Sequence, residues 1–297
     1  MVQLTFATAL AFLAAVQASP LTQRQDTPRF LSLPPTPELA APISTKTFAT
    51  ADGAQLWFQK YNEQAGGDPI VFIHGGLGYS AYFADVMKII AETRYVIAID
   101  RRGHGRSTYV AGETFTFDKM AEDTFDLLQA EGVKSAIYAG WSDGSAETLA
   151  ALINPKIAPS ISKAFVFGGF QNPEDSNSTF HLATIYSEFV TRCGEEYAVL
   201  QPNADFRDFA TRVGTLELTL PQFTDAQLGS IDGKKVQIVG ADKEEAVNLD
   251  VPDKLHRLIP GSSLVMLKDV SHFAPVQDPV GFAAAIEAFV SGTAPKN

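Results

Sequence analysis

Ser142 sits between two glycines in Ala139-Gly140-Trp141-Ser142-Asp143-Gly144-Ser145. A serine hydroxyl is a weak nucleophile until an imidazole takes its proton, and the imidazole needs a carboxylate to fix its tautomer and stabilise its charge. The Gly-x-Ser-x-Gly spacing suits that chemistry, because glycines at both flanks let a strained serine turn without colliding with its neighbours. The β-prone Ser135-Ala136-Ile137-Tyr138 precedes it and Glu147 to Leu152 follows with helical character. The stretch therefore reads strand, sharp turn, helix. Asp143 opens the helix, so its N–H points toward Ser142 Oγ, where the positive helix end favours a developing oxyanion.

The base and the acid are expected after the turn. Of five histidines, His74 and His104 precede Ser142 at glycine turns, His181 lies in the stretch read below as a lid, and His256 sits beside Lys254 and Arg257 on a helix. That leaves His272, in Asp269-Val270-Ser271-His272-Phe273-Ala274. It follows the last apolar strand, a position from which a base reaches across the strand ends. For the acid, Gly240-Ala241-Asp242-Lys243-Glu244-Glu245 offers three carboxylates in one loop. Only one can face the histidine, and Glu245 reads equally well as an acidic residue at a helix start.

These residues need a scaffold that brings distant loops together. Lys46 to Thr50 and Gln55 to Tyr61 flank Asp52-Gly53, a hairpin signal. Pro69 to Ile73 is a continuous apolar run, as a strand buried on both faces requires, and it ends at His74-Gly75-Gly76-Leu77-Gly78. A helix from Tyr82 to Ala91, a strand from Tyr95 to Ile99, a glycine turn from Asp100 to Ser107 and a helix from Phe117 to Ala130 follow. With the Ser142 strand and helix, and the strand Lys163 to Gly168, the alternation predicts an α/β fold with a mostly parallel central sheet flanked by helices. The alternation breaks between Gln171 and Gly233, where a helix near Phe180 to Val190 and shorter amphipathic pieces predict an inserted helical lid. It resumes with a strand from Lys235 to Val239, a helix from Val251 to Leu258, a strand from Ser263 to Leu267 and a closing helix from Pro279 to Val290. The expected organisation is 44–170 and 234–297 as the two parts of one core, with 171–233 as the lid.

Ahead of the core, Leu4 to Val16 is apolar and ends in Val16-Gln17-Ala18, which reads as a signal peptide over 1–18 cleaved after Ala18. Residues 19–43 carry six prolines and read as an extended arm or propeptide. The expectation is a secreted protein, and Asn177-Ser178-Thr179 adds a glycosylation sequon. The apolar leader is too short to span a bilayer comfortably. A net charge of −11 without a basic stripe argues against nucleic acid and for a neutral or apolar small-molecule ligand. Cys193 is the sole cysteine, so no intramolecular disulfide can form, and it reads as a small buried apolar residue. No dinucleotide fingerprint follows Ile73 or Ile99, no phosphate-loop lysine follows a glycine run, and no His-Glu-x-x-His or paired cysteines point to a metal. The chemistry expected of Ser142 needs no cofactor.

From Lys46 to Val290 the chain resembles the serine hydrolases of the α/β-hydrolase superfamily, in the subgroup whose nucleophile turn reads Gly-Trp-Ser-Asp-Gly. His74-Gly75-Gly76 resembles that family's oxyanion loop, Asp100 to Ser107 its arginine-glycine turn, and His272 matches its base. The resemblance implies an oxyanion hole made by the N–H groups of Gly76 and Asp143. It also implies that Glu244 is the acid, because the family loop ends in acid, glutamate and a small residue, matched by Glu244-Glu245-Ala246. Ala241 departs from the loop's glycine, which leaves Asp242 as the alternative. The implied activity is cleavage of a carboxylic ester through an acyl-enzyme, with Phe180, Tyr186, Phe189, Leu200, Phe206 and Phe209 of the lid available to wall an apolar acyl pocket. Lactonase, amidase, carbon–carbon hydrolase and perhydrolase chemistry share the fold, as does a weakly catalytic ligand binder.

Overall fold

The computed structural model describes residues 27–293, so the expected signal peptide at 1–18 lies outside the described residues. Eight strands form one sheet: β1 (Thr47–Ala49), β2 (Gln55–Tyr61), β3 (Ile70–Ile73), β4 (Val96–Ile99), β5 (Ala136–Trp141), β6 (Ile161–Phe167), β7 (Val236–Ala241) and β8 (Ser263–Leu267). Their order is β1-β2-β4-β3-β5-β6-β7-β8. β1 and β2 pair antiparallel across the hairpin, β2 is antiparallel to β4, and every later pair is parallel. The hairpin closes at Gly53, whose φ of 100° only glycine adopts freely.

The parallel strands are apolar on both faces because helices cover both. Val71 and Ile73 of β3 join Ile97, Ile99 and Tyr138 in one core layer, under α2 (Phe117–Ala130) and α3 (Asp143–Ile153). Ile70 and Phe72 turn the other way, with Val96, Ala98 and Trp141, against α1 (Ala84–Ile90) and α9 (Pro279–Ser291). This is the two-residue period of a strand expressed as two cores. In α2 the matching helical period is explicit: Phe117, Met120, Ala121, Thr124, Leu127 and Leu128 are buried, and Thr116 caps the start by accepting the Lys119 N–H at 3.1 Å.

Between β6 and β7 the chain leaves the sheet and forms α4 (Thr184–Leu200), α5 (Phe206–Thr219) and α6 (Asp225–Gly229). The helix expected over Phe180–Val190 is displaced: Phe180–Leu182 is a 3-10 turn, and α4 runs ten residues past Val190, because Phe189, Cys193 and Tyr197 continue its buried stripe. Likewise Ser80–Phe83 is a 3-10 turn before α1. A short α8 (Ala274–Gln277) that periodicity does not reveal precedes α9, and α7 (Val251–Leu258) lies between β7 and β8. The proline-rich arm packs from its described start: Leu33 and Leu39 are buried, Arg192 Nη2 donates to Leu33 O at 3.0 Å, and Gln59 Nε2 donates to Ala40 O at 3.0 Å. No helix among the described residues is long and apolar enough to cross a membrane.

Candidate active site

The strand order reverses beside β3, the place in an open α/β sheet where crevices form at the carboxyl ends of the strands. Three loops meet there: the one after β3 carrying Gly75 and Gly76, the turn after β5 carrying Ser142, and the loop after β8 carrying His272. A pocket of about 860 Å³ opens between them and the α4–α6 insertion, and Ser142, Asp143, Gly76 and His272 all line it. A wider cleft of about 1260 Å³ lies between β8 and α9, but it contains neither Ser142 nor His272.

Ser142 has φ 57° and ψ −122°, a strained conformation for a residue with a side chain. The flanking glycines make it possible. A Cβ on Gly140 would stand 2.5 Å from Gly144 O and 2.7 Å from Thr148 Oγ1; one on Gly144 would overlap Ile73 O and stand 2.7 Å from His74 O. β5 and α3 are thereby pressed against β3. Ser142 N donates to Phe167 O at 2.9 Å, holding the turn to β6. Among the described residues, the N–H groups of Gly76 and Asp143 have no acceptor within the chain, so two donors remain free beside Ser142.

His272 is 4% exposed, with Trp141, Phe167 and Phe180 ring centroids within 6.3 Å. Its Nδ1 lies 2.8 Å from Glu244 Oε1. Glu244 Oε1 also accepts the N–H groups of Ala246 at 2.8 Å and Val247 at 3.2 Å. Asp242 faces elsewhere: its Oδ1 accepts the Asp269 N–H at 2.8 Å. Burial alone would make the His272 imidazole harder to charge, but Glu244 first, then Glu245 and Asp143, outweigh it and raise its pKa above 6.5.

Glu245 corrects a sequence expectation. No helix starts at that point, since α7 begins only at Val251. Glu245 Oε2 instead accepts the main-chain N–H of His272 at 2.9 Å, fixing the loop that carries the ring. Gly168 was equally hidden in the sequence. Its φ is +61°, and a Cβ there would lie 2.9 Å from His272 Cε1 and 3.1 Å from Nδ1. A glycine at the end of a strand is the only signal, and it does not name its neighbour.

Three of the remaining histidines, His74, His104 and His256, pack within the scaffold. Fully buried His74 donates from Nδ1 to Gly75 O at 2.8 Å and accepts the Arg101 N–H at Nε2, 3.0 Å, an arrangement that burial keeps neutral by lowering its pKa to about 3. His104 packs edge-on against Phe209 at 4.8 Å, and His256 Nδ1 meets Ser262 Oγ at 3.0 Å. His181 lies at the pocket wall. Of the six apolar residues expected to wall the pocket, Phe180, Tyr186 and Phe189 do so. Phe206 and Phe209 pack with Tyr197 onto the core instead, and Leu200 is not in the wall. Their helical stripe seats α5, which periodicity cannot tell from a ligand wall. Cys193 is buried 3.6 Å from Tyr82 Oη, and burial pushes its thiol up to about 12. Asn177 lines the pocket, with its Nδ2 donating to Glu245 O at 3.0 Å.

Comparison with known proteins agrees with this architecture. Residues 68–183 match the family model described as the alpha/beta hydrolase fold. The fold is that of the α/β hydrolases. Among curated relatives, a proline iminopeptidase of Heyndrickxia coagulans is 34% identical over 108 residues, covering 36% of this chain and 37% of that protein. A bifunctional esterase/perhydrolase of Acinetobacter calcoaceticus is 32% identical over 100 residues, covering 33% and 35%. The chain thus matches little more than a third of the length of these relatives. Similar solved structures extend over the whole fold: a meta-cleavage product hydrolase from Pseudomonas fluorescens superposes with a TM-score of 0.69 at 15% identity, covering 83% of this chain and 97% of that one. An esterase from Rhodococcus gives 0.63 at 21% identity, covering 84% and 99%.

Proposed function

We propose that the protein is a secreted serine hydrolase that cleaves a carboxylic ester. Ser142 Oγ attacks the acyl carbon while His272 takes its proton; the tetrahedral oxyanion is held by the free N–H groups of Gly76 and Asp143. His272 then gives the proton to the leaving alcohol. In the second half-reaction water attacks the acyl-enzyme, with His272 again as base, and Ser142 is regenerated. Glu244 keeps the Nδ1 side of the ring protonated and stabilises the imidazolium.

The observation that carries this reading is the meeting, in one pocket, of a serine at φ 57° on a glycine-flanked turn and a buried histidine 2.8 Å from a buried carboxylate. Apolar substrate preference is supported by Trp141, Phe170, Phe180, Phe189 and Phe273 in the pocket lining. The insertion over 171–233 acts as the lid that selects the acyl group. Glycosylation at Asn177 belongs to the same proposal as secretion, and a mass shift on N-glycosidase treatment of the secreted protein tests it.

The test of activity is hydrolysis of p-nitrophenyl esters from acetate to palmitate by the wild type and Ser142→Ala. The expected result is a loss on the order of 10⁴-fold or more in the variant, as triad nucleophiles generally show. Equal rates in the two proteins would remove Ser142 from the mechanism. No turnover of any ester, with turnover of lactones or amides lost in Ser142→Ala, would keep the nucleophile and replace the substrate class.

A further inference from the structure

Glu217 comes from α5, outside every motif of the sequence, yet it lines the pocket. Leu216 beside it is buried with Phe209 and Val213, which seats α5 on the core and turns Glu217 toward the loop after β3. A Cβ placed on Gly76 would collide with Glu217 Oε1 and stand 3.0 Å from Asp143 Oδ2. Two carboxyl groups, one from the insertion and one from the Ser142 turn, therefore lie against the same face of Gly76. Glu217 keeps partial exposure through the pocket it lines, whereas Asp143 is 1% exposed.

The charges nearby do not balance two carboxylates. Arg101 is the cation of this cluster, and it is committed to Glu147, with Nε 2.7 Å from Oε2. Its Nη1 stands 3.6 Å from Asp143 Oδ2, and both atoms are buried without a hydrogen-bond partner. The other groups that face the pair are Tyr186 of α4 on the Glu217 side and His272 on the Asp143 side. His74 and His104, near Arg101, are held neutral by burial. Two ionised carboxyls that share one cation with Glu147 repel, and the arrangement settles by keeping a proton. Burial raises both groups and Arg101 opposes it in both; at Glu217 the neighbouring Asp143 adds to the rise, which carries it far above its ordinary value.

We propose that Glu217 is a positioning residue of the site: its protonated carboxyl donates a hydrogen bond to Asp143 Oδ2 and ties α5 to the residue whose N–H faces the oxyanion. The bond gives the orphaned Asp143 oxygen its partner. It also makes closure of this end of the pocket depend on one proton, held at low pH and lost as pH rises through the raised pKa of the pair, after which mutual repulsion releases α5. The kinetic consequence rests on the serine hydrolase reading, whereas the proton itself does not.

The first experiment is the infrared difference spectrum of the full chain, wild type against Glu217→Gln, at neutral pH where exposed carboxyls are ionised. The expected result is a protonated-acid carbonyl band in the wild type that is missing from Glu217→Gln and from Asp143→Asn. A difference spectrum with no such band overturns the proposal, and Asp143→Asn keeps the test decisive if the other variant does not fold. In the second experiment, kcat/KM on a p-nitrophenyl ester is followed against pH. Glu217→Leu is expected to lose about tenfold at neutral pH, the worth of one hydrogen bond of roughly 1.4 kcal/mol. Glu217→Gln, whose amide donates at any pH, is expected to rescue that loss and to abolish the alkaline fall of the wild type. Identical pH profiles in all three proteins overturn the positioning role. If no protein turns over an ester while the band behaves as expected, the ester reading fails and the shared proton stands.

Discussion

Glu244 Oε1 lies 2.8 Å from His272 Nδ1 and is itself gripped by the main-chain N–H groups of Ala246 and Val247. The carboxylate is thus set by backbone, and the imidazole is set by the carboxylate. Glu244→Gln keeps the shape, and its amide oxygen still meets the backbone N–H groups, but it removes the negative charge that stabilises the imidazolium, so ester turnover should fall roughly 10³–10⁴-fold. The pH dependence follows from the same contact. In the proposed mechanism His272 acts as a base only when neutral, and its carboxylate neighbours hold its pKa above 6.5. Activity should therefore rise with pH through a midpoint above 6.5, and in Glu244→Gln the residual activity should rise at a lower pH. A midpoint that does not move would show that Glu244 is not the main source of the shift.

Asp242 is the control for that experiment. Its carboxylate serves Asp269, a residue at φ 55°, through the main-chain N–H. Asp242→Asn preserves the accepting oxygen, so kcat/KM should stay within about twofold of wild type, or ~0.5 kcal/mol. A loss comparable to that of Glu244→Gln would exchange the two assignments.

Gly168 should be intolerant of even one methyl group. Alanine there faces both a left-handed backbone and an imidazole 2.9 Å from its Cβ. The ring must shift, and a displacement of about 1 Å in a reacting group costs on the order of a hundredfold in rate. The strained backbone should also cost about 1 kcal/mol or more of stability. Measured together, a large fall in kcat with a small fall in stability separates misplacement of His272 from unfolding; the reverse balance would make Gly168 only a folding residue.

The strands and the long, strongly periodic helices were legible because burial on two faces leaves continuous apolar runs, and a helix seated on a sheet leaves a 3.6-residue stripe. β3, α2, α7 and β8 follow their sequence signals closely. The Ser142 turn was legible for a different reason, since its glycine spacing has few other uses, whereas Glu244 was set apart from Asp242 only by the family resemblance. What the sequence hid are relations across the fold. Glu245 holding the His272 main chain, Gly168 making room for the ring, and Glu217 entering from α5 each join segments tens of residues apart. No local period encodes such contacts. The same limit explains Phe206 and Phe209: an apolar stripe shows that a helix is seated, and leaves open against what.

The pair Arg101 and Glu147 shows how much of the site rests on charge buried beneath it. Both side chains are at most 1% exposed, Arg101 Nε meets Glu147 Oε2 at 2.7 Å, and Thr124 Oγ1 donates to the other oxygen at 2.7 Å. The same arginine gives its main-chain N–H to His74 Nε2 at 3.0 Å, which ties α3 to the loop that carries Gly75 and Gly76. Glu147→Ala strips the guanidinium of its partner and opens a void beside Thr124. Removing one member of a buried ion pair typically costs about 3–5 kcal/mol. Urea unfolding should show a lowered midpoint with an unchanged slope. Glu147→Gln, which retains a hydrogen-bond acceptor of the same shape, should recover part of the loss. If Glu147→Ala unfolded at the wild-type midpoint, the pair would contribute nothing net, and the fixed position of the β3 loop would have to come from its glycines and His74 alone.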